Sequence, residues 1–338
     1  YHQWLYLIAL ALGGQAASQF PHPMHNSGII TRFEGIASVG HAGMHKLQFT
    51  QSLVIMAFLT WWSPGNPTLT VTNGINGIST FKSCAFSKAA FIPFFANIPI
   101  RTGWRGEFRY FFINDIRSLD EKDYPRMVDR FCALGIKKTE KLPEIKLPSL
   151  IPDKSNISKL INLYSIYKEK KILTICPGAE FGPAKRWPSN YFAEVVAYYL
   201  KKDWIVTAIG SKKDQIVVQE IENCLDKTYP NFINTVGSTN LEDAIDLLSI
   251  SSLVLTNDSG LMHVASALDI PLLALFGPTS PEFTPPLGEK SEIIRKVKGY
   301  MKLRKGDLPG GYHSSLFSIK PKETIDKLES MEKIFISA

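Results

Sequence analysis

Residues 256–263, Thr-Asn-Asp-Ser-Gly-Leu-Met-His, bring together groups suited to an anion. Asp258, Ser259 and Gly260 stand where an apolar strand gives way to a helix. The unpaired N–H groups and positive end of a helix favour negative charge there. Gly260 removes a side chain, so a phosphate can approach the backbone, and His263 follows one turn later. Simple N-capping by Asp258 or Ser259 explains the same residues and, for this segment alone, is the commoner arrangement. A second segment, 177–188 (Pro-Gly-Ala-Glu-Phe-Gly-Pro-Ala-Lys-Arg-Trp-Pro), shifts that balance. Gly178 and Gly182 free the backbone while Lys185 and Arg186 bring positive charge; solvated surface charge is the plain alternative for that pair. A cationic loop and a helix start converging on one sheet edge favour a diphosphate site. The third segment is Gly-Ser-Lys-Lys-Asp at 210–214. Its Asp214 offers a carboxylate to sugar hydroxyls, as acidic residues do for riboses in nucleotide folds, or caps a helix; both readings stand.

The elements that position these loops follow from hydrophobic period. Apolar runs at Lys171–Cys176, Trp204–Ile209, Phe232–Val236, Leu253–Thr256 and Pro271–Phe276 read as strands. Between them lie helices: one capped by Ser189 with Phe192, Val195, Val196, Tyr199 and Leu200 on one face, then Asp214–Leu225, Leu241–Ile250 and Leu261–Leu268. Strands alternating with helices of this length predict a parallel sheet covered on both faces, with ligands beyond the carboxyl ends of its strands. Tyr198, Tyr199 and Trp204 are expected in the core rather than stacked on bases. Residues 137–170, rich in Lys, Pro and Ser, read as an interdomain linker, and Lys322–Ile334 as a closing helix that can pack back across a first domain.

Length and charge bound the rest. The 338 residues suit two domains, divided here as 1–150 and 151–338. Hydrophobic residues make up 45% and charged residues 20%, which predicts a folded globule. Four separated cysteines without a CxxC pair argue against a zinc cluster and fit reduced thiols in a cytoplasm. No metal site is expected, since the early histidines lack ligand spacing. The net charge is +7, yet only Arg32, Glu34 and Lys46 are charged before Lys82. Trp4–Leu12 and Leu53–Trp62 fall short of the roughly 20 residues of a spanning helix. Leu5–Leu12 followed by Ala16, Ala17 and Ser18 has no preceding Lys or Arg, so a signal peptide is not expected. A buried apolar segment, or a stretch made foreign by a shifted reading frame or divergent start, are the readings left for this quarter. Basic residues gather at Lys296, Lys298, Lys302, Arg304 and Lys305 and at Arg101, Arg105, Arg109 and Arg117. They are either solubilising charge or a cleft for an anionic acceptor. No DNA or RNA motif accompanies them, so no nucleic-acid partner is expected.

Together these segments resemble a known family. Residues 176–188 are similar to the nucleotide-sugar loop of the ADP-heptose:lipopolysaccharide heptosyltransferases, and 256–265 to their second signature. Phe-Gly-Pro-Thr-Ser-Pro at 276–281, Phe-Thr-Pro-Pro at 283–286, Arg-Thr-Gly-Trp-Arg-Gly-Glu at 101–107, and Gly299-Tyr300 through Asp307 follow in the expected order. The long first loop and the Thr-Gly-Trp-Arg-Gly segment resemble the heptosyltransferase II branch. The resemblance runs from about Lys88 to the end and leaves residues 1–80 unmatched.

It implies an α/β protein of the GT-B fold: two Rossmann-like domains facing across a cleft, the N-terminal one aberrant or incomplete. It implies inverting transfer of L-glycero-D-manno-heptose from ADP-heptose, without a cofactor, to the first heptose of an anionic, Kdo-bearing inner core on lipid A. It places the protein in the cytoplasm, peripheral at the inner face of the inner membrane. The implied donor-binding set is Gly178, Lys185, Ser211, Asp214, Asp258, Ser259, Gly260 and His263, with Lys185 and the 258–260 helix start on the diphosphate and Asp214 on the ribose. Arg101, Arg105, Lys302, Arg304 and Lys305 are the acceptor-side candidates. The family's early strand-Gly-Asp motif, which resembles an acceptor-side base, has no counterpart in residues 1–80, and no Asp precedes Asp115. An inverting transfer needs a base within reach of the attacking hydroxyl, so no catalytic base is assigned. A catalytically impaired ADP-sugar-binding relative is the alternative reading.

Overall fold

The computed structural model describes residues 85–336, Glu107 and Lys168 excepted. The expectations for residues 1–80, including the signal-peptide and base-motif readings, lie outside the described residues. The chain divides into two compact units. Among the described residues, one comprises 144–336 with the short stretch Arg126–Val128; the other comprises 85–125 and 129–143.

In the smaller unit, α1 (Ala85–Phe95) precedes the short parallel pair β1 (Thr102–Trp104) and β2 (Asp115–Arg117). Helix α2 (Met127–Leu134) has its first two residues grouped with the larger unit and the rest with the smaller. Three of the four arginines that crowd this part of the chain make local bonds. Arg101 donates to the carbonyls of Phe112 (2.7 Å) and Ile98 (2.6 Å). Arg109 donates to the Trp104 carbonyl. Arg117 pairs with Asp115 at 2.7 Å and holds that carboxyl below the usual carboxylate range. Arg105 is exposed.

In the larger unit the elements are α3 (Lys154–Leu163), β3 (Ile172–Cys176), α4 (Ser189–Lys201), β4 (Ile205–Ala208), α5 (Gln215–Asn223), β5 (Phe232–Asn234), α6 (Leu241–Ser249), β6 (Leu253–Asn257), α7 (Gly260–Ala267), β7 (Leu272–Phe276), β8 (Ser291–Arg295), α8 (Ser314–Phe317) and α9 (Pro321–Phe335). The six strands form one parallel sheet in the order β5-β4-β3-β6-β7-β8. Strand side chains alternate between faces. Leu173, Ile175, Val206, Leu255 and Leu273 turn toward α4, α5 and α9; Ile172, Cys176, Val254, Leu272 and Ala274 turn toward α3, α6 and α7. Both layers are apolar, as a parallel sheet buried on two faces requires. Tyr199 and Trp204 are buried with ring centroids 4.9 Å apart, as expected of core aromatics.

Three expectations change. Residues 154–163 are no linker: Asp153 accepts the N–H of Ser155 at 2.8 Å as an N-cap, and Leu160 and Ile161 are buried. Ser189 does not cap α4; it is the first helical residue, and its hydroxyl donates to Glu220 at 2.6 Å. Strand β8 is additional, because Ser291-Glu292-Ile293-Ile294-Arg295 sits at the sheet edge where polar residues are tolerated. The last helix buries Leu328 and Met331 in the same core as α4. Cys132, Cys176 and Cys224 are free thiols. No described helix is long and apolar enough to cross a membrane.

Candidate functional site

The three chemically suggestive segments meet at the carboxyl edge of the sheet, leaving β3, β4 and β6. A buried amide stitches the first and third together. Asn257, the last residue of β6, accepts the Trp187 N–H at 3.1 Å and donates to the Pro177 carbonyl at 2.7 Å. Trp187 is itself wholly buried and donates its indole N–H to the Ile319 carbonyl at 3.0 Å. The first loop is therefore anchored near both of its ends.

That anchoring brings Lys185 to Asp258. Lys185 Nζ lies 2.6 Å from Asp258 Oδ2, and the same oxygen accepts the Thr279 hydroxyl at 2.6 Å. Asp258 is buried, so its charge needs these partners. Neither cap candidate caps α7: Ser259 is the N-cap residue by position but makes no side-chain capping bond, and the Asp258 carboxylate faces Lys185 and Thr279. The result is a fixed cation beside a helix start not closed by its own cap, an arrangement that attracts anions.

His263 is half-buried one turn into α7. Burial holds its pKa below the ordinary 6.5, nearby Lys185 adds to that, and Asp258 opposes it. The unfolded chain therefore takes up a proton that the folded chain resists. This group's contribution to stability is intact above its ordinary pKa and is lost as pH falls below it. Urea midpoints measured from about pH 8 to 5 should decline in that lower range, and His263→Gln should flatten the decline; an unchanged slope would remove His263 as its source.

The 210–214 segment resolves differently. Asp214 Oδ2 accepts the Ser211 N–H at 2.9 Å and the Ser211 hydroxyl at 2.7 Å, a capping box on a short 3-10 turn. Its other oxygen lies 3.9 Å from Arg186. These bonds make Asp214 a capping residue of this turn. Gly178 faces this carboxyl: a Cβ there would stand 2.3 Å from the Asp214 carboxyl carbon. The missing side chain makes room for Asp214. Lys213 and Glu180 add an ion pair of 2.8 Å between the first and second loops.

Lys302, Arg304 and Lys305 are exposed, but their backbone is fastened to the first loop. The Ala184 N–H donates to the Arg304 carbonyl at 3.3 Å, and Gly182, at φ 150°, lets that carbonyl approach where a Cβ would stand 2.3 Å away. Arg101 and Arg105 belong to the other unit. Sequence reasoning missed Asn257 and Thr279 as site residues. The signal for Asn257 was available: an amide ending an apolar strand is costly to bury unless both its ends are bonded.

A parallel α/β sheet with a held cation and an uncapped helix start at its carboxyl edge is the architecture on which nucleotide-binding α/β proteins hold phosphates. The chain belongs to glycosyltransferase family 9 (heptosyltransferase), whose sequence model matches residues 85–313. It is 46% identical over 251 residues to lipopolysaccharide heptosyltransferase 2 of Salmonella typhimurium, covering 72% of each chain. It is 44% identical over 255 residues to lipooligosaccharide heptosyltransferase 2 of Haemophilus influenzae, covering 72% of this chain and 73% of that one. Among solved structures it is similar to the E. coli ADP-heptose LPS heptosyltransferase II, with a TM-score of 0.66, 41% identity, and coverage of 72% of this chain and 73% of that one. The protein is thus a glycosyltransferase.

Proposed function

We propose that this chain transfers L-glycero-D-manno-heptose, with inversion, from ADP-heptose to the first heptose of the lipopolysaccharide inner core. The observation that carries the substrates is the 46% identity to a lipopolysaccharide heptosyltransferase 2 over 251 residues. The geometry supports the donor end. Lys185, oriented by Asp258 at 2.6 Å, and the open start of α7 offer fixed positive charge to the diphosphate. Preorganised donors aimed at a departing charge are the largest single contribution in many enzymes. In this reading the larger unit is the donor half of a GT-B pair, and Lys185 and the α7 start do the work of charge stabilisation without a cofactor. The acceptor is the anionic, Kdo- and heptose-bearing lipid A, met at the cytoplasmic face of the inner membrane by a peripheral protein.

The test uses the purified full chain with ADP-heptose and a lipopolysaccharide whose core ends at the first heptose. Mass spectrometry should show the acceptor gaining one heptosyl unit as ADP is released. ADP binding without any transfer would favour an impaired relative that retains only the donor site.

A further inference from the structure

Three cations gather on one aromatic ring. Lys185 Nζ, Arg304 Cζ and Lys302 Nζ stand 5.5, 5.6 and 5.9 Å from the centroid of Phe181. Each is attracted by the ring's negative face, but weakly where water competes, and like charges this close repel one another. Asp258 answers Lys185 alone; among the described residues no carboxylate pairs with Lys302. The backbone carrying the two outer cations is tied down all the same. The Met301 N–H donates to the Pro278 carbonyl at 2.8 Å, and the Arg304 carbonyl accepts the Ala184 N–H. Fixed backbone, three cations around one ring and a Lys302 without a carboxylate partner among the described residues describe a site suited to an anion with more than one charge.

We propose that Lys302 and Arg304 bind the diphosphate of the donor together with Lys185, and that Phe181 is the platform on which the three cations are held before the donor arrives. This rests on the reading of the larger unit as the donor half. It moves Lys302 and Arg304 from the acceptor side, where their charge alone would place them, to the donor side, where their neighbours are. Lys185 holds the anion from the sheet edge; Lys302 and Arg304 hold it from across the Phe181 ring. The exposed Lys302 can swing from the ring to a phosphate with little strain, whereas Lys185 is already in place.

Calorimetry on the full chain at physiological salt tests the assignment with ADP, AMP and adenosine as probes. Lys302→Ala and Arg304→Ala should each weaken ADP by about ten-fold, the loss expected for a charge-assisted contact. AMP should lose less and adenosine nothing. ADP affinity equal to that of the parent overturns the proposal, as does an equal loss for ADP and adenosine, which would mark a general disturbance of the loop. Failure of the parent chain itself to bind ADP would instead sink the donor reading on which the assignment depends.

Discussion

Lys185→Ala should weaken ADP binding by about ten- to a hundred-fold, since a charge-assisted contact to phosphate is worth about 1.5–3 kcal/mol. The loss has two sources. The cation itself disappears, and the buried Asp258 carboxylate, 2.6 Å from Lys185 in the parent, is left facing the diphosphate with only Thr279 as partner. Removing one member of a buried pair is costlier than removing both charges. The double variant Lys185→Ala/Asp258→Asn should therefore recover part of the affinity lost by Lys185→Ala alone. Titration calorimetry with ADP measures all three proteins. An unchanged affinity in Lys185→Ala would remove this lysine from the site, and strictly additive losses would remove its coupling to Asp258.

Asn257→Leu should destabilise the larger unit by about 2–6 kcal/mol, because two buried backbone groups, the Trp187 N–H and the Pro177 carbonyl, lose their partner at about 1–3 kcal/mol each. Leucine is close in volume, so lost packing contributes little. The first loop would be released at both ends of its bonded span, and ADP affinity should fall in step with stability. Asn257→Asp should fare no better: it keeps an acceptor for Trp187, forfeits the donor to Pro177 and buries a charge. Denaturant unfolding monitored by Trp fluorescence provides the measurement. An Asn257→Leu variant as stable as the parent would mean that the loop is held elsewhere.

These expectations show where the sequence was readable. Strands β3, β4, β6 and β7 fall within one or two residues of their apolar runs, because a strand buried on both faces has no polar residues to blur it. Edge strand β8 and helix α3 were hidden for opposite reasons. The first mixes polar and apolar residues. The second carries its signal, Asp153 followed by Ile157, Leu160 and Ile161, inside a stretch whose Lys, Pro and Ser content masks the period. At the site, residue types announced the cation and the helix start, but the bonds between segments did not show. That Asp258 serves Lys185 rather than α7, and that Gly178 makes room for Asp214, depend on contacts across 73 and 36 positions of chain, beyond any local pattern.

The strand order has a consequence of its own. From β3 the chain steps outward to β4, whereas from β6, its neighbour, it steps the opposite way to β7. Right-handed crossovers running in opposite directions must lie on opposite faces, which is why α4 and α7 belong to different core layers. The two connections therefore part company as they leave adjacent strand ends, and such a topological switch point is where open α/β sheets receive their ligands. Asn257 bonds across these strand ends to Pro177 and Trp187, and Lys185 and Asp258 meet beside them. In the donor reading, the place of the diphosphate is thus set by a reversal in the direction of winding, and side-chain chemistry decides only what is accepted there.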